Sequence, residues 1–125
     1  MRFWRQGLAL SAAGFKVPLT IAVGMGRGWR GAKRDFVLTE KIAGAPAPLF
    51  LRRELICGAP SITLKRERIK RLARLIRRFH DASFVHGDLV ASNIFIATAG
   101  PDEGEFYFMD NDRTRHYPAW LPQPF

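Results

Sequence analysis

The sequence predicts an α+β fold, because one strongly amphipathic helical segment is combined with several short apolar segments of strand-forming residues. The chain has 125 residues, a length that fits one domain better than two. Hydrophobic residues make up 47% of it, enough for a packed core, so disordered and collagen-like classes are excluded. No apolar run is long enough to span a bilayer.

The first 43 residues are expected to form a small unit made of a helix and a β-hairpin. Residues 3–13 favour a helix that ends at Gly14. Strand-forming residues at 19–23 and 35–39 flank a Gly-rich, basic connection over residues 24–31, the pattern of a hairpin. Part of this connection matches the Gly-x-Gly-x-x-Gly pattern, but no helix of the kind that phosphate-binding loops require follows it. We interpret it as a basic hairpin turn.

A second unit is expected over residues 44–125. The Gly- and Pro-containing segment 44–48 is expected to interrupt regular structure and to mark the boundary, with a helix over residues 49–56 behind it. Residues 61–83 give the strongest helical pattern, because apolar residues recur there at three- and four-residue spacing and basic residues occupy the other face. Ser61 is the expected N-cap of this helix.

Charge is unevenly distributed along the chain. The formal net charge is +9, and residues 1–78 contribute +14 whereas residues 79–125 contribute −5. A balance this basic indicates an anionic partner, such as a phosphorylated substrate, nucleic acid or an acidic membrane surface. The single cysteine, Cys57, excludes an internal disulfide and favours a reducing compartment.

Three oxygen-bearing side chains stand at the ends of two predicted strands. Asp88 precedes an apolar strand at 93–96 that begins with Asn93, and Asp110 follows a second strand at 106–109. The turn between the strands should bring Asn93 and Asp110 to neighbouring positions, where their oxygens suit a hard cation such as Mg²⁺. Asp88 would then be placed to accept a proton from a hydroxyl group near that metal, which is the arrangement that phosphoryl transfer needs.

These residues also carry a family resemblance. His86-Gly87-Asp88, with Asn93 five residues beyond Asp88, resembles the catalytic loop of the protein-kinase-like superfamily. The segment 110–113, and Arg-Phe-His at 78–80, are similar to the bacterial lipopolysaccharide core kinases, the Kdo and heptose kinase family. The resemblance implies a partial protein-kinase-like fold that lacks the family's Gly-rich loop and ATP-binding Lys. Residues 1–43 would be the end of the small lobe, with the hairpin and hinge, and residues 44–125 the first part of the helical large lobe.

The resemblance further implies roles for individual residues. Asp88 would be the catalytic base, and His86 belongs to the same catalytic loop as the side chain that braces it. Asn93 and Asp110 would bind Mg²⁺, and Asn93 would also contact the nucleotide. The hinge residues would hold the adenine of ATP through backbone groups; they are Glu40, Lys41 and Ile42.

The implied activity is ATP-dependent phosphorylation of a sugar hydroxyl, with a free or lipid-linked sugar as acceptor. The expected location is the cytoplasm, with peripheral contact at the anionic inner face of the inner membrane. The alternatives are an inactive kinase-like fragment, an aminoglycoside-phosphotransferase-like or protein-kinase-like enzyme, and a nucleic-acid-binding module that uses the basic face at residues 65–78. No zinc pattern or nucleic-acid motif supports the last, so nucleic acid is not an expected partner. The residues leave the acceptor and the oligomeric state open.

Overall fold

The computed structural model describes residues 2–56 and 62–117; the expected N-cap Ser61 and the lone cysteine Cys57 lie outside them. The elements occur in the order α1 (Arg2–Ala12), β1 (Thr20–Arg27), β2 (Lys33–Thr39), β3 (Gly44–Pro46), α2 (Ala47–Ile56), α3 (Ile62–Asp81), β4 (Phe84–Val85), β5 (Ile94–Ala97), β6 (Phe106–Phe108) and β7 (Arg115–His116). Short 3₁₀ turns at Ala91–Asn93 and Asn111–Arg113 precede β5 and follow β6. The mixture of helices and antiparallel strands confirms the predicted α+β class.

The predicted hairpin is present and longer than expected. Strands β1 and β2 pair antiparallel from Thr20↔Thr39 to Arg27↔Lys33. The prediction that residues 24–27 belong to a flexible connection is therefore wrong, and only residues 28–32 form the turn. Gly24 pairs with Phe36 and lies directly beneath its ring, so the glycine fits the strand because a side chain there would displace that ring.

The segment predicted to interrupt regular structure instead forms a strand and the start of a helix. Strand β3 pairs antiparallel with β5, which also pairs with β6, so β3 is an edge strand of a three-stranded sheet. Gly44 lies so close to the Ile96 carbonyl that no side chain would fit. Helix α2 begins at Ala47, two residues earlier than expected. Pairing with a distant strand thus overrides the local Gly and Pro tendency, and Pro46 is tolerated because the strand is at an edge.

The core is largely aromatic and joins α1, α3 and the strands. One group of buried residues comprises Leu10, Phe15, Phe79, Phe84 and Phe108, and a second comprises Ala47, Ile94, Ile96 and Phe106. Leu75 of α3 packs against both groups. The centroid of the Phe15 ring lies 5.2 Å from that of Phe79 and 6.1 Å from that of Phe108, both in edge-to-face arrangements. The core therefore supports the chain immediately before and after the predicted site.

Helix α3 is amphipathic, as the periodicity predicts. Its C-terminal half packs into the core through Leu75 and Phe79. Its N-terminal half leaves apolar side chains exposed, because Ile62 and Ile69 are 69% and 66% accessible. The predicted apolar stripe is thus buried only where the helix approaches the sheet and the loop after β4.

Candidate active site

The loop after β4 is held from the inside by His86. This side chain is buried, and its Nε2 lies 2.9 Å from the carbonyl oxygen of Met109, at the end of β6. Gly87 follows with a positive φ of 80°, and a Cβ at this position would lie 2.7 Å from the Arg113 carbonyl oxygen. Glycine is required here because the segment after β6 packs directly against the loop.

Asp88 and Asn93 are in contact through the Asn93 side chain. Its Nδ2 donates a hydrogen bond of 3.0 Å to the Asp88 carbonyl oxygen and a longer one of 3.4 Å to the Oδ2 atom of the Asp88 carboxylate. The Asp88 carbonyl also accepts from the Val90 N–H at 3.0 Å. These contacts hold the carboxylate beside the amide. Because Nδ2 makes both contacts, Oδ1 is the Asn93 atom suited to a cation.

Asp110 stands at the end of the neighbouring strand. The Met109 N–H donates to the Asn93 carbonyl at 2.8 Å, so the residue before Asp110 is paired directly with Asn93. Asp110 itself has φ 54° and ψ 58°, in the left-handed region, and its side chain is exposed. Residues other than glycine adopt this backbone conformation rarely and most often at functional sites. The turn releases the carboxylate from the sheet, one residue beyond the backbone pairing of Met109 with Asn93.

Two buried residues that sequence reasoning did not identify hold this turn. Asn111 donates from Nδ2 to the Phe108 carbonyl at 2.9 Å, and its own carbonyl accepts from the Thr114 N–H at 3.2 Å. Thr114 is fully buried, and its hydroxyl lies 3.5 Å from the His86 carbonyl. The adjacent Asp and Asn could have indicated a left-handed turn, since both tolerate that conformation. Nothing in the sequence indicates the role of Thr114.

The predicted hinge residues lie at the other end of β5. The Glu40 N–H donates to the Leu19 carbonyl at 2.8 Å, and a Glu40 carboxylate oxygen accepts from the Leu19 N–H at 2.9 Å. The backbone N–H of Glu40 is therefore already engaged within the chain. An adenine held at the hinge would bind to the Glu40 carbonyl and to the backbone groups of Lys41 and Ile42. Residues 40–43 line a pocket of about 280 Å³ together with residues of β5, β6 and the turn between them. Asp88, Asn93 and Asp110 do not line this pocket.

Asp102 holds together one side of the pocket at residues 40–43, which we call the hinge pocket. Its carboxylate accepts hydrogen bonds of 2.7 Å from Lys16 Nζ and from the Tyr107 hydroxyl. The Lys16 hydrogen bond, followed by that of Tyr107, holds the pKa of Asp102 below its usual value. Burial, with Asp102 as a second cause, raises the pKa of Tyr107 to about 12. The hydrogen bond thus favours a protonated Tyr107 hydroxyl as donor and an ionised Asp102 carboxylate as acceptor.

The donors at the strand ends fit Mg²⁺ in the presence of a phosphate. Among residues 2–56 and 62–117, no group of three or more His, Cys, Asp or Glu side chains could hold a metal ion. The Asn93 amide oxygen and the Asp110 carboxylate are the two oxygen donors that such an ion would use. Mg²⁺ is usually bound through one or two protein oxygens together with substrate phosphates and water, rather than by a complete protein cage. Two oxygen donors at the strand ends therefore fit the number that Mg²⁺ takes from a protein when it also binds a phosphate.

The described residues contain no helix that is both long and apolar enough to cross a membrane.

Both the sequence and the fold of this chain are similar to those of known proteins. The model of the lipopolysaccharide kinase (Kdo/WaaP) family matches residues 1–119. The chain is 31% identical over 104 residues to a 3-deoxy-D-manno-octulosonic acid kinase of Actinobacillus succinogenes and 33% identical over 105 residues to one of Haemophilus influenzae. Each alignment covers 83% of this chain and 40% of the relative, so the chain spans about two fifths of these proteins.

The fold is similar to a solved structure described as WaaP in complex with acyl carrier protein. The TM-score is 0.71 at 22% identity, and the match covers 93% of this chain and 49% of that one. This likeness confirms a partial kinase-like fold, and the family match extends over nearly the whole sequence. The chain belongs to the lipopolysaccharide kinase (Kdo/WaaP) family.

Proposed function

We propose that this chain contains the catalytic loop and the Mg²⁺-nucleotide ligands of an ATP-dependent phosphotransferase that acts on a sugar hydroxyl, with a Kdo- or heptose-type sugar, free or lipid-linked, as acceptor. The observation that supports this best is the contact between Asp88 and Asn93, beside the strand end that carries Asp110. This contact supports a site in which one proton acceptor and two cation ligands act together. The names of the relatives support the acceptor class.

The proposed transfer assigns one role to each group. The acceptor oxygen attacks the γ-phosphorus of ATP, the bond from that phosphorus to the β–γ bridging oxygen breaks, and ADP leaves. Asp88 accepts the proton of the acceptor hydroxyl, while Asn93 Nδ2 keeps the carboxylate in position. Mg²⁺, when bound by Asn93 Oδ1 and Asp110, would neutralise charge on the phosphate oxygens. His86 acts on this site only through the loop that it holds.

The positions of the hinge and of Asn93 suit an extended nucleotide. The hinge joins β5 at its far end, where the Thr98 N–H donates to the Ala43 carbonyl at 2.8 Å. Asn93 lies five residues before Thr98 along the same strand, so the two points are separated by roughly 16–17 Å at ~3.3 Å per residue. A nucleotide with its base at residues 40–42 and its phosphates at Asn93 would lie along β5. We propose this binding mode for ATP.

Nucleotide binding can be tested on the chain itself by titrating a fluorescent ATP analogue with and without Mg²⁺. We expect Asp110→Asn to weaken Mg²⁺-dependent binding about tenfold, the loss of one charge-assisted contact. Glu103→Gln removes an acid from the exposed turn between β5 and β6 and should change nothing. Equal affinities for wild type and Asp110→Asn would contradict the metal assignment.

Transfer activity tests Asp88 separately. Asp88→Asn should leave nucleotide affinity within about twofold, because its role is in proton transfer, and should lower turnover by ~10²–10⁴-fold. Turnover at the wild-type rate in Asp88→Asn would overturn its assignment as the base. Nucleotide binding without transfer to any sugar acceptor would favour the alternative of an inactive kinase-like chain.

A further inference from the structure

The tip of the β1–β2 hairpin, residues 27–34, combines a fully exposed tryptophan with a cluster of cations. Trp29 is 102% accessible, which means that its indole packs against no other described residue. The tip also carries four exposed basic side chains, and the nearest acid in the sequence is Asp35, directly after it; the four are Arg27, Arg30, Lys33 and Arg34. None of these four takes part in an ion pair with another described residue.

The backbone of the tip is ordered by its own hydrogen bonds. The Gly28 N–H donates to the Ala32 carbonyl at 2.8 Å, and the Gly31 N–H donates to the Gly28 carbonyl at 2.8 Å. Gly31 has φ 74°, a conformation that lets the chain turn back into β2. Trp29 is thus presented, fully exposed, on a defined turn at the end of two paired strands.

The basic face of α3 is different in kind. Lys70 pairs with Glu67 at 2.9 Å, and Arg77 pairs with Asp81 at 2.8 Å. Other guanidinium groups lie over aromatic rings, as Arg78 does over Phe15, 5.6 Å from the ring centroid. Much of this charge is therefore engaged within the protein, as on an ordinary solvated helix face. The hairpin tip instead presents cations with no acidic partner among the described residues, beside an exposed aromatic group.

Apolar side chains also stand on both faces of the hairpin behind the tip. Met25 and Phe36 are 75% and 62% accessible. The register places Met25 opposite Asp35 on one face and Phe36 opposite Gly24 on the other. Tryptophan concentrates at the boundary between water and lipid because its ring is apolar while its N–H is polar, and Lys and Arg near it are attracted to anionic headgroups. The exposed aliphatic and aromatic side chains match the acyl layer just below those headgroups.

We propose that the hairpin tip is a membrane-contact site that inserts Trp29 into the interface of an anionic bilayer, with Arg27, Arg30, Lys33 and Arg34 on lipid phosphates. Single-stranded nucleic acid can also stack on an aromatic ring flanked by cations. Stacking would not use the apolar side chains of Met25 and Phe36, so the bilayer is the better match. The inference rests on the membrane contact expected for a lipid-linked acceptor and not on phosphoryl transfer.

The test is cosedimentation of the chain with vesicles in the absence of nucleotide. Vesicles rich in phosphatidylglycerol should bind the chain, and pure phosphatidylcholine vesicles should bind it far more weakly. Trp29→Ala should weaken binding roughly tenfold through the lost apolar burial. Arg30→Glu should weaken it about fivefold for each unit of charge changed. Trp29 emission should shift to the blue on binding, and Trp29→Ala should lack this shift.

Matched controls locate the contact. Trp4→Ala removes a partly exposed tryptophan from α1, and Arg66→Glu reverses an exposed charge on α3; both should bind as the wild type does. Equal losses in Arg66→Glu and Arg30→Glu would overturn the assignment to the tip, because they would indicate general electrostatic attraction. Binding to a single-stranded oligonucleotide but not to anionic vesicles would overturn the proposal that the hairpin tip contacts a bilayer. Because nucleotide is absent, a failure here leaves the phosphotransferase proposal standing, and the reverse also holds.

Discussion

His86 Nε2 donates a hydrogen bond of 2.9 Å to the carbonyl oxygen of Met109, the residue before Asp110. Since a carbonyl oxygen can only accept, the ring carries its hydrogen on Nε2. The other ring nitrogen, Nδ1, is buried and has no partner among the described residues. The bond joins the loop that contains Asp88 to the strand end that contains Asp110. This geometry favours a bracing role for His86 over a proton-transfer role.

We predict that His86→Ala destabilises the chain by about 2–4 kcal/mol, because it removes a buried hydrogen bond and leaves a cavity. Urea unfolding followed by circular dichroism measures this. His86→Gln keeps an N–H donor of similar reach and should recover part of the loss. A His86→Ala chain as stable as the wild type would show that the contact with Met109 does not hold the loop.

Gly87 and Gly100 form a matched pair for measuring how tightly the catalytic loop packs. Both have positive φ, 80° and 81°, but only at Gly87 would an added Cβ meet the Arg113 carbonyl oxygen, at 2.7 Å. Gly100→Ala should cost about 1–2 kcal/mol from the left-handed backbone alone. Gly87→Ala should cost about 1–3 kcal/mol more, since the segment after β6 must move. Equal losses of stability for the two variants in thermal unfolding would show that the segment after β6 can move aside without a cost in free energy.

The Lys16–Asp102 contact predicts an acid-sensitive stability. The pKa of Asp102 is lowered in the folded state, first by the Lys16 hydrogen bond and then by that of Tyr107. Its contribution is therefore complete above about pH 4, the unfolded value, and is lost as the pH falls through the lower folded pKa. Asp102→Asn should flatten the acid side of a plot of unfolding midpoint against pH. Glu103→Gln, in the same turn, should leave that side unchanged.

The raised pKa of Tyr107 predicts that the folded chain also loses stability at alkaline pH. Burial and the Asp102 carboxylate raise the pKa of Tyr107 to about 12. A raised folded pKa means that the stabilising contribution is complete below about pH 10, the unfolded value, and is lost as the pH rises toward the folded one. Ultraviolet titration of phenolate absorbance in wild type and Tyr107→Phe isolates this group. A Tyr107 signal that titrates at its ordinary value would contradict the hydrogen bond to Asp102.

The extent to which the fold could be predicted depended on the range of the interactions that form each element. Helix α3 was predictable because the spacing of its apolar residues is a local pattern, and the hairpin because two runs of strand formers flank a turn. Strand β3 was not, because Gly44–Pro46 has no strand tendency of its own and is ordered only by pairing with β5. The same holds for Gly24, which the sequence places in a turn and the Phe36 ring holds in a strand.

The site shows a similar division. Asn93 and Asp110 could be expected at neighbouring positions, because a turn between two short strands must bring their outer ends together. The side chains that hold these two residues in place could not be predicted from the sequence. Asn111 binds the Phe108 carbonyl, and Thr114 lies against the His86 carbonyl. Since the backbone offers a carbonyl at every residue, no sequence pattern identifies which one a polar side chain will meet.

Phe15 has a consequence for how the chain folds as it is made. Its ring lies within 6.1 Å of the rings of Phe79, Phe84 and Phe108, measured between centroids, and each of these partners is synthesised long after it. The buried group that contains Leu10 and Phe15 is therefore incomplete until β6 has been synthesised. Contacts between residues this distant in sequence slow folding, and they prolong the lifetime of aggregation-prone intermediates with exposed apolar surface. The packing of Phe15 against Phe108 thus joins two segments that are more than 90 residues apart in the sequence.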